Sequence, residues 1–291
     1  MPALIKLRIV QILRRDLVQD TYRYETLSNQ TSDWRMAQDN EKLHDFYGSL
    51  LKARDPETGN KLTRDELVAE AALLIVAGSD TMATAVTSAI FYLLHYPDTL
   101  LRLQKEIRCA FQTVEEIGIG SKLSACHYLV ACIDEAMRLS PGVGSVLQRE
   151  VLPGGLYVDK QWFPPGTDIA VPHYALHHNE AYHSEPFKFT PERWISGPTR
   201  SEMDISKTRS AFSPFGVGRA SCVGKELSYY EMTIMLARMV WMYDMRLAPG
   251  SLVGGDHETL GQGRARCNEF QTWDSFVSTH EGPMVQFRLK D

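Results

Sequence analysis

One stretch limits what this chain can fold into: between Ala71 and Tyr96 the only formal charge is Asp80. A run that long matches the thickness of a bilayer, but a lone carboxylate at mid-span would be expensive. The run therefore predicts a buried helix within a globular core, carrying an acid that has a task. Its start is marked by Thr63, three residues before Glu66 at capping-box spacing, and its end by Pro97. At ~1.5 Å per residue the helix is roughly 45–50 Å long. In its middle lies Ala77-Gly78-Ser79-Asp80-Thr81. A mid-helix glycine costs about 1 kcal/mol relative to alanine, so Gly78 predicts a close approach or a local opening of the hydrogen-bond ladder. Asp80 and Thr81 beside it pair an acid with a hydroxyl, able to pass protons through water. The segment also reads as a packing glycine beside a polar residue with a partner.

The 291 residues, 44% hydrophobic, can bury a large core as one big domain or a large part of one. A net charge of -5 argues against nucleic-acid binding, which wants a clustered basic surface. Five scattered cysteines with no CxxC pair suit a reducing compartment and argue against a disulfide framework or a zinc site. The N-terminus has too short an apolar run for a signal peptide, so the chain reads as soluble.

Before the long helix, residues 6–22 and 41–53 have helical periodicity and residues 26–40 read as a polar loop. After it, residues 97–113 and 127–139 predict helices, the second containing Glu135-Ala136-Met137-Arg138. Glutamate and arginine three apart share a helix face, and by themselves read as a solvated pair. Residues 146–152, 155–163 and 167–172 predict a small sheet. His173 and His177 have the spacing of a helical metal pair, but the proline-flanked region predicts no helix there and metal binding is disfavoured. A second Glu and Arg occur in Pro191-Glu192-Arg193-Trp194; were Glu135, Arg138 and Arg193 to share a buried site, they would pin the loop leading to Cys222. Residues 226–243 predict an apolar helix, 247–270 a surface loop, and 276–279 and 285–289 strands. The fold class is mainly α with a small β portion (α+β).

The last motif is Phe215-Gly216-Val217-Gly218-Arg219-Ala220-Ser221-Cys222-Val223-Gly224, running into the 226–243 helix. Taken alone it is a cysteine in an ordinary turn; as a phosphate loop of GxGxxG type it has Ser221 where the third glycine belongs. It also suits a thiolate ligand of haem iron. Glycines let the backbone fold around the sulfur and approach a flat ligand, helix-start N–H groups favour negative charge, and Phe215 can cover the sulfur's side of the ring.

AGSDT (77–81), EAMR (135–138), PERW (191–194) and FGVGRASCVG (215–224), in that order, resemble the cytochrome P-450 family of haem-thiolate monooxygenases, from about residue 41 onward. The texture of residues 52–81 looks most like microsomal members from filamentous fungi, with secondary-metabolite hydroxylation as the expected task. The resemblance implies the back half of the cytochrome P-450 fold: long central helix, Glu-Arg helix, cysteine loop and following helix. Residues 1–62 would be a helical front segment and 63–291 the haem-binding core of a single partial domain.

By the same resemblance Cys222 is the axial metal ligand, with Phe215, Gly216, Gly224, Arg149, Arg219 and Gly78 around the haem. Asp80 and Thr81 deliver protons, Glu135, Arg138 and Arg193 form the structural triad, and Val76, Ala77, Val143, Val146, Phe276 and Val277 line the substrate pocket. The implied partners are a small apolar substrate, dioxygen and an NADPH-dependent reductase. A full-length parent would sit on the cytosolic face of the endoplasmic reticulum, touching the membrane through a front half not seen before Met1. This chain differs from the usual pattern at Ala220, where family members commonly carry arginine with Arg219 here displaced by one, and at Met82, in place of a hydroxyl residue.

Overall fold

A computed structural model describes residues 15–38, 45–198, 200–250, 254 and 266–290. Contacts group the chain into two compact units, Met1–Ala77 and Gly78–Asp291.

In the first unit, helix α1 (Arg15–Met36) covers most of the segment expected to be a loop. That expectation rested on polarity, but the segment holds no glycine or proline to break a helix, and polar residues such as Glu25, Gln30 and Arg35 sustain one. Helix α2 (Phe46–Lys52) starts later than the periodicity predicts; residues 39–44 lie outside the described residues. Asp45 caps α2 by accepting from Gly48 N at 2.7 Å, and Arg35 grips the same carboxylate through Nε at 2.7 Å and Nη2 at 2.8 Å. Arg64 at the start of helix α3 (Arg64–His95) pairs with Asp33 at 2.8 Å, and Tyr24 Oη donates to Ala72 O at 2.6 Å.

The start of α3 is the capping box read from the sequence: Thr63 N donates to Glu66 Oε2 at 2.7 Å and Glu66 N to Thr63 Oγ1 at 3.3 Å. Burial along α3 differs from the expectation of a buried helix. Ala85–Leu93 enter the core, with Phe91, Tyr92 and Leu93 fully enclosed, whereas Leu73, Leu74, Ile75, Val76, Gly78 and Asp80 are exposed. The reason is local: the elements of the second unit that pack on α3 meet it from Thr81 onward. Among the described residues α3 is the one helix long and apolar enough to cross a membrane. It is also unbroken at Gly78, where an added Cβ would meet nothing within 4 Å, so neither the close approach nor the opened ladder occurs among the described residues.

The core of the second unit joins the end of α3 to helices α4 (Pro97–Ala110), α6 (His127–Leu139) and α9 (Lys225–Met242), with the one-turn α5 (Ser121–Ser124) leading into α6. Leu103, Ile107, Leu129, Cys132, Leu236 and Val240 meet there with 0–1% exposure. All five cysteines are free thiols. The anticipated small sheet resolves into two antiparallel pairs, β1 (Arg149–Glu150) with β4 (Asp168–Ile169) and β2 (Leu156–Val158) with β3 (Gln161–Phe163). The β2–β3 hairpin turns on Asp159 and Lys160 at φ 45° and 65°, a primed turn that matches strand twist. A five-residue helix, α7 (His173–His177), forms where none was expected; its first turn is tied by Tyr174 N to Gly144 O at 2.9 Å. Helix α8 (Glu202–Ser210) is closed by a Ser201–Asp204 capping box. Strands β5 (Tyr243–Leu247) and β8 (Val285–Leu289) pair directly after α9, and β6 (Thr272–Ser275) pairs with β7 (Val277–His280).

Candidate haem-thiolate site

The cysteine loop is held by its own backbone. Gly216 N donates to Ser213 O at 2.9 Å, Ser221 N to Gly218 O at 3.1 Å, and Cys222 N to Phe215 O at 2.7 Å. Gly216 (φ 68°) and Gly218 (φ 74°) take left-handed conformations that a side chain would strain. Gly224 caps α9 and lies against the sulfur, its virtual Cβ 3.8 Å from Cys222 Sγ. The loop thus turns Cys222 outward: the residue is exposed, between Val217 at 80% and Val223 at 91% exposure. Phe215 is half-buried and packs its ring on Tyr229 with centroids 5.4 Å apart.

Beneath the loop, Glu135, Arg138 and Arg193 meet at 0%, 0% and 1% exposure. Arg138 donates through Nε to Glu135 Oε2 at 2.9 Å and through Nη2 to Oε1 at 3.0 Å, and Arg193 Nε reaches both oxygens at 2.9 and 3.0 Å. Trp194 Nε1 and Thr190 N add further bonds to the same carboxylate at 3.0 and 2.9 Å. The spare guanidinium N–H groups take backbone carbonyls: Arg138 those of His177 and Pro186 at 2.8 and 2.7 Å, Arg193 that of Ser184 at 3.0 Å. Burial alone would raise the Glu135 carboxyl, but the two guanidiniums outweigh it and hold the group below its ordinary value.

A second assembly gathers three segments that the sequence leaves far apart. Thr84 Oγ1 lies 3.1 Å from Asp80 O and 2.9 Å from Ser278 O, bridging α3 to β7. Ser278 in turn bonds the 141–142 turn, through Oγ to Pro141 O at 2.9 Å and through N to Gly142 O at 2.8 Å. Gly142 packs on Thr81, where an added Cβ would come within 3.2 Å of Thr81 Cβ. Asp80 and Thr81, Val143 next to Gly142, and Phe276 and Val277 just before Ser278 are therefore carried by one hydrogen-bonded cluster, whereas Val146 lies exposed beyond it. Asp80 is exposed and takes Ser79 Oγ at 3.4 Å; Thr81 and Val277 are half-buried; Phe276 is 70% exposed at φ 73°. Val76 and Ala77 lie on the exposed stretch of α3.

Thr84 and Ser278 escape sequence reading because their bond spans 194 positions. Arg149 is exposed on β1 and donates to Gln148 O at 2.8 Å, and Arg219 is exposed in the turn Gly218–Ala220; neither has an ion pair among the described residues. The described residues contain no cluster of three or more metal-ligating side chains, and His173 and His177 instead stack at 5.9 Å inside the protein.

The donor set fits haem. A free thiol stands on a glycine-supported loop between exposed apolar side chains, and two exposed arginines suit carboxylate groups at the ring edge. Cysteine thiolate is one of the protein ligands that hold haem iron. Comparison agrees: residues 11–259 match the cytochrome P-450 family, and the chain belongs to it. It is 41% identical over 250 residues to the cytochrome P-450 monooxygenase AKT7 of Alternaria alternata, covering 84% of this chain and 48% of that protein. It is 37% identical over 301 residues to the cytochrome P-450 monooxygenase apf7 of Gibberella fujikuroi, covering 100% of this chain and 56% of that one. The chain thus spans about half the length of these relatives. The fold is likewise that of a crystal structure of a cytochrome P-450, CYP102L1, with a TM-score of 0.74 at 21% identity over 97% of this chain and 60% of the other. The retinoic acid-bound cyanobacterial CYP120A1 gives a TM-score of 0.71 at 23% identity over 92% of this chain and 56% of the other.

Proposed function

We propose that the chain is the haem-binding core of a monooxygenase that inserts one atom of dioxygen into a small apolar substrate in fungal secondary metabolism. The observation that carries the reading is the outward-facing Cys222 thiol on a loop locked by its own amide to Phe215 O. Haem, when bound, supplies dioxygen activation with electrons from NADPH through a partner reductase. Cys222 Sγ would hold its iron, with Phe215, Gly216 and Gly224 around the sulfur and Arg149 and Arg219 pairing with its carboxylate groups. Gly78 leaves room on the facing helix. The Asp80 carboxylate would hold a proton and the Thr81 hydroxyl pass it inward. Val76, Ala77, Val143, Val146, Phe276 and Val277 would exclude water around the substrate. Glu135, Arg138 and Arg193 touch none of these reactants; their part is to hold the loop. We place the parent enzyme on the cytosolic face of the endoplasmic reticulum.

The test is the spectrum of the reduced, carbon monoxide-treated protein. A red-shifted Soret band, lost in Cys222→Ala, is expected; a band at the ordinary histidine-haem position rejects the assignment.

A second reading is favoured by the exposure of Gly78, Asp80 and the apolar side chains Leu73–Val76. An acid open to bulk water does not meter protons, so the chain by itself would be a non-catalytic remnant that at most binds. Stoichiometric haem uptake together with substrate oxidation by the purified chain and reductase rejects that reading.

A further inference from the structure

Four histidines, at 173, 177, 178 and 183, are buried beside the Glu135 network, and the proposed chemistry uses none of them. His177 differs from the others in the two groups its bonds reach, one in the buried network and one at the cysteine loop. Its carbonyl receives Arg138 Nη1 at 2.8 Å, and its ring nitrogen Nε2 receives the backbone N–H of Ser213 at 3.0 Å. Ser213 is where the cysteine loop begins, since its own carbonyl takes Gly216 N. The ring also lies 5.4 Å from Phe212, which packs on Trp194 at 4.6 Å, and Trp194 is bonded to Glu135.

We propose that His177 is a positioning residue for the cysteine loop, coupling Arg138 of the buried network to Ser213 and so fixing where the segment carrying Cys222 starts. The chemistry demanded is narrow. A backbone N–H can only donate, so Nε2 must be unprotonated and the proton of the neutral ring must sit on Nδ1, which has no partner among the described residues. Charging the ring would remove the acceptor and place a cation beside Arg138. Burial, followed by the neighbouring His173, His183, Arg138 and His178, accordingly pushes the ring down to about 3. Glutamine at 177 can offer an oxygen near the position of Nε2, whereas leucine fills the space without an acceptor.

The inference deepens the reading of Cys222 as the iron ligand, but its test needs no haem and runs on the full chain, with and without Cys222→Ala. In the unsubstituted chain, nitrogen-15 NMR should find the His177 proton on Nδ1. Amide exchange at Ser213 and Gly216 should be at least tenfold faster in His177→Leu and return to within about threefold of the unsubstituted chain in His177→Gln. After haem loading, His177→Leu should show a smaller thiolate-type share of the carbon monoxide band, rescued in His177→Gln. A proton found on Nε2, or loop exchange unchanged in His177→Leu, or no rescue by glutamine, overturns the proposal. The tautomer measurement decides it even if His177→Leu does not fold. Failure of the band in every variant with loop protection intact would reject the haem assignment and leave the positioning role standing.

Discussion

At the residue scale, the decisive group is Glu135, one carboxylate set against two guanidiniums with all three enclosed. Buried pairs of this kind add little net stability when intact, because desolvation offsets their attraction. Removing one partner is different, since unpaired charge then stays inside. Glu135→Ala is expected to destabilise the chain by about 3–5 kcal/mol, seen as a shift of the urea midpoint, with the cysteine loop losing amide protection as well. The Glu-Arg spacing in Glu135-Ala136-Met137-Arg138 was legible, because three residues along a helix is a shared face. That Arg193 joins them from 58 positions away came only through the family resemblance, and that Trp194 and Thr190 complete the carboxylate's shell was not legible at all. The neighbouring Asp134 shows the same limit: its carboxylate takes Tyr229 Oη at 2.6 Å, and nothing in the local pattern of either segment announces the pair.

Among the elements, the marks at chain boundaries proved the most readable. Thr63 with Glu66 and Pro97 delimit α3 closely, because capping chemistry and the missing proline N–H act locally. Elements that depend on distant partners were hidden. Strand β5 follows α9 with no glycine or proline between them and exists because β8 pairs with it some forty residues later. The β2–β3 hairpin gives a test of local geometry. Gly155 stands at φ 69°, and a Cβ there would lie 1.9 Å from Trp162 Cη2, so Trp162 folds over the bare backbone while its ring meets Tyr157 at 4.9 Å. Gly155→Ala should displace Trp162 and cost about 1–3 kcal/mol. The loss of the Tyr157–Trp162 nuclear Overhauser contacts in the variant would report it, and unchanged contacts would contradict the packing.

On the scale of the molecule, buried titratable groups set how stability follows pH. Burial pushes His177 down to about 3 and His178 and His183 each to about 4, from an ordinary 6.5. The folded chain keeps these rings neutral while the unfolded chain protonates them, so their stabilisation is present above pH 6.5 and is lost as pH falls toward 4. Asp134 opposes this: burial pushes it up to about 6 from 3.8, so the folded chain holds its proton where the unfolded chain has released it. Three of these protons favour the unfolded state and one the folded, and burial lowers His95 and His280 in the same direction as the three. Unfolding between about pH 6 and 4.5 therefore takes up at least a net two. Stability should fall by at least about 3 kcal/mol per pH unit in that window. Denaturation midpoints measured across it would check this, and a flat profile would show that the histidines are hydrated in the folded chain.

The bridge at Thr84 has a consequence for how such a protein can change. One hydroxyl ties the α3 turn bearing Asp80 and Thr81 to the strand bearing Val277, and Gly142 wedges the same turn from the other side. On the proposed reading, the wall that selects a substrate and the pair that times proton delivery are a single mechanical part. A lineage that widens its pocket at this strand therefore disturbs its timing, consuming electrons without product until a compensating change arises at Thr84, Gly142 or Ser278. New substrate range and tight coupling would be acquired in sequence, not at once.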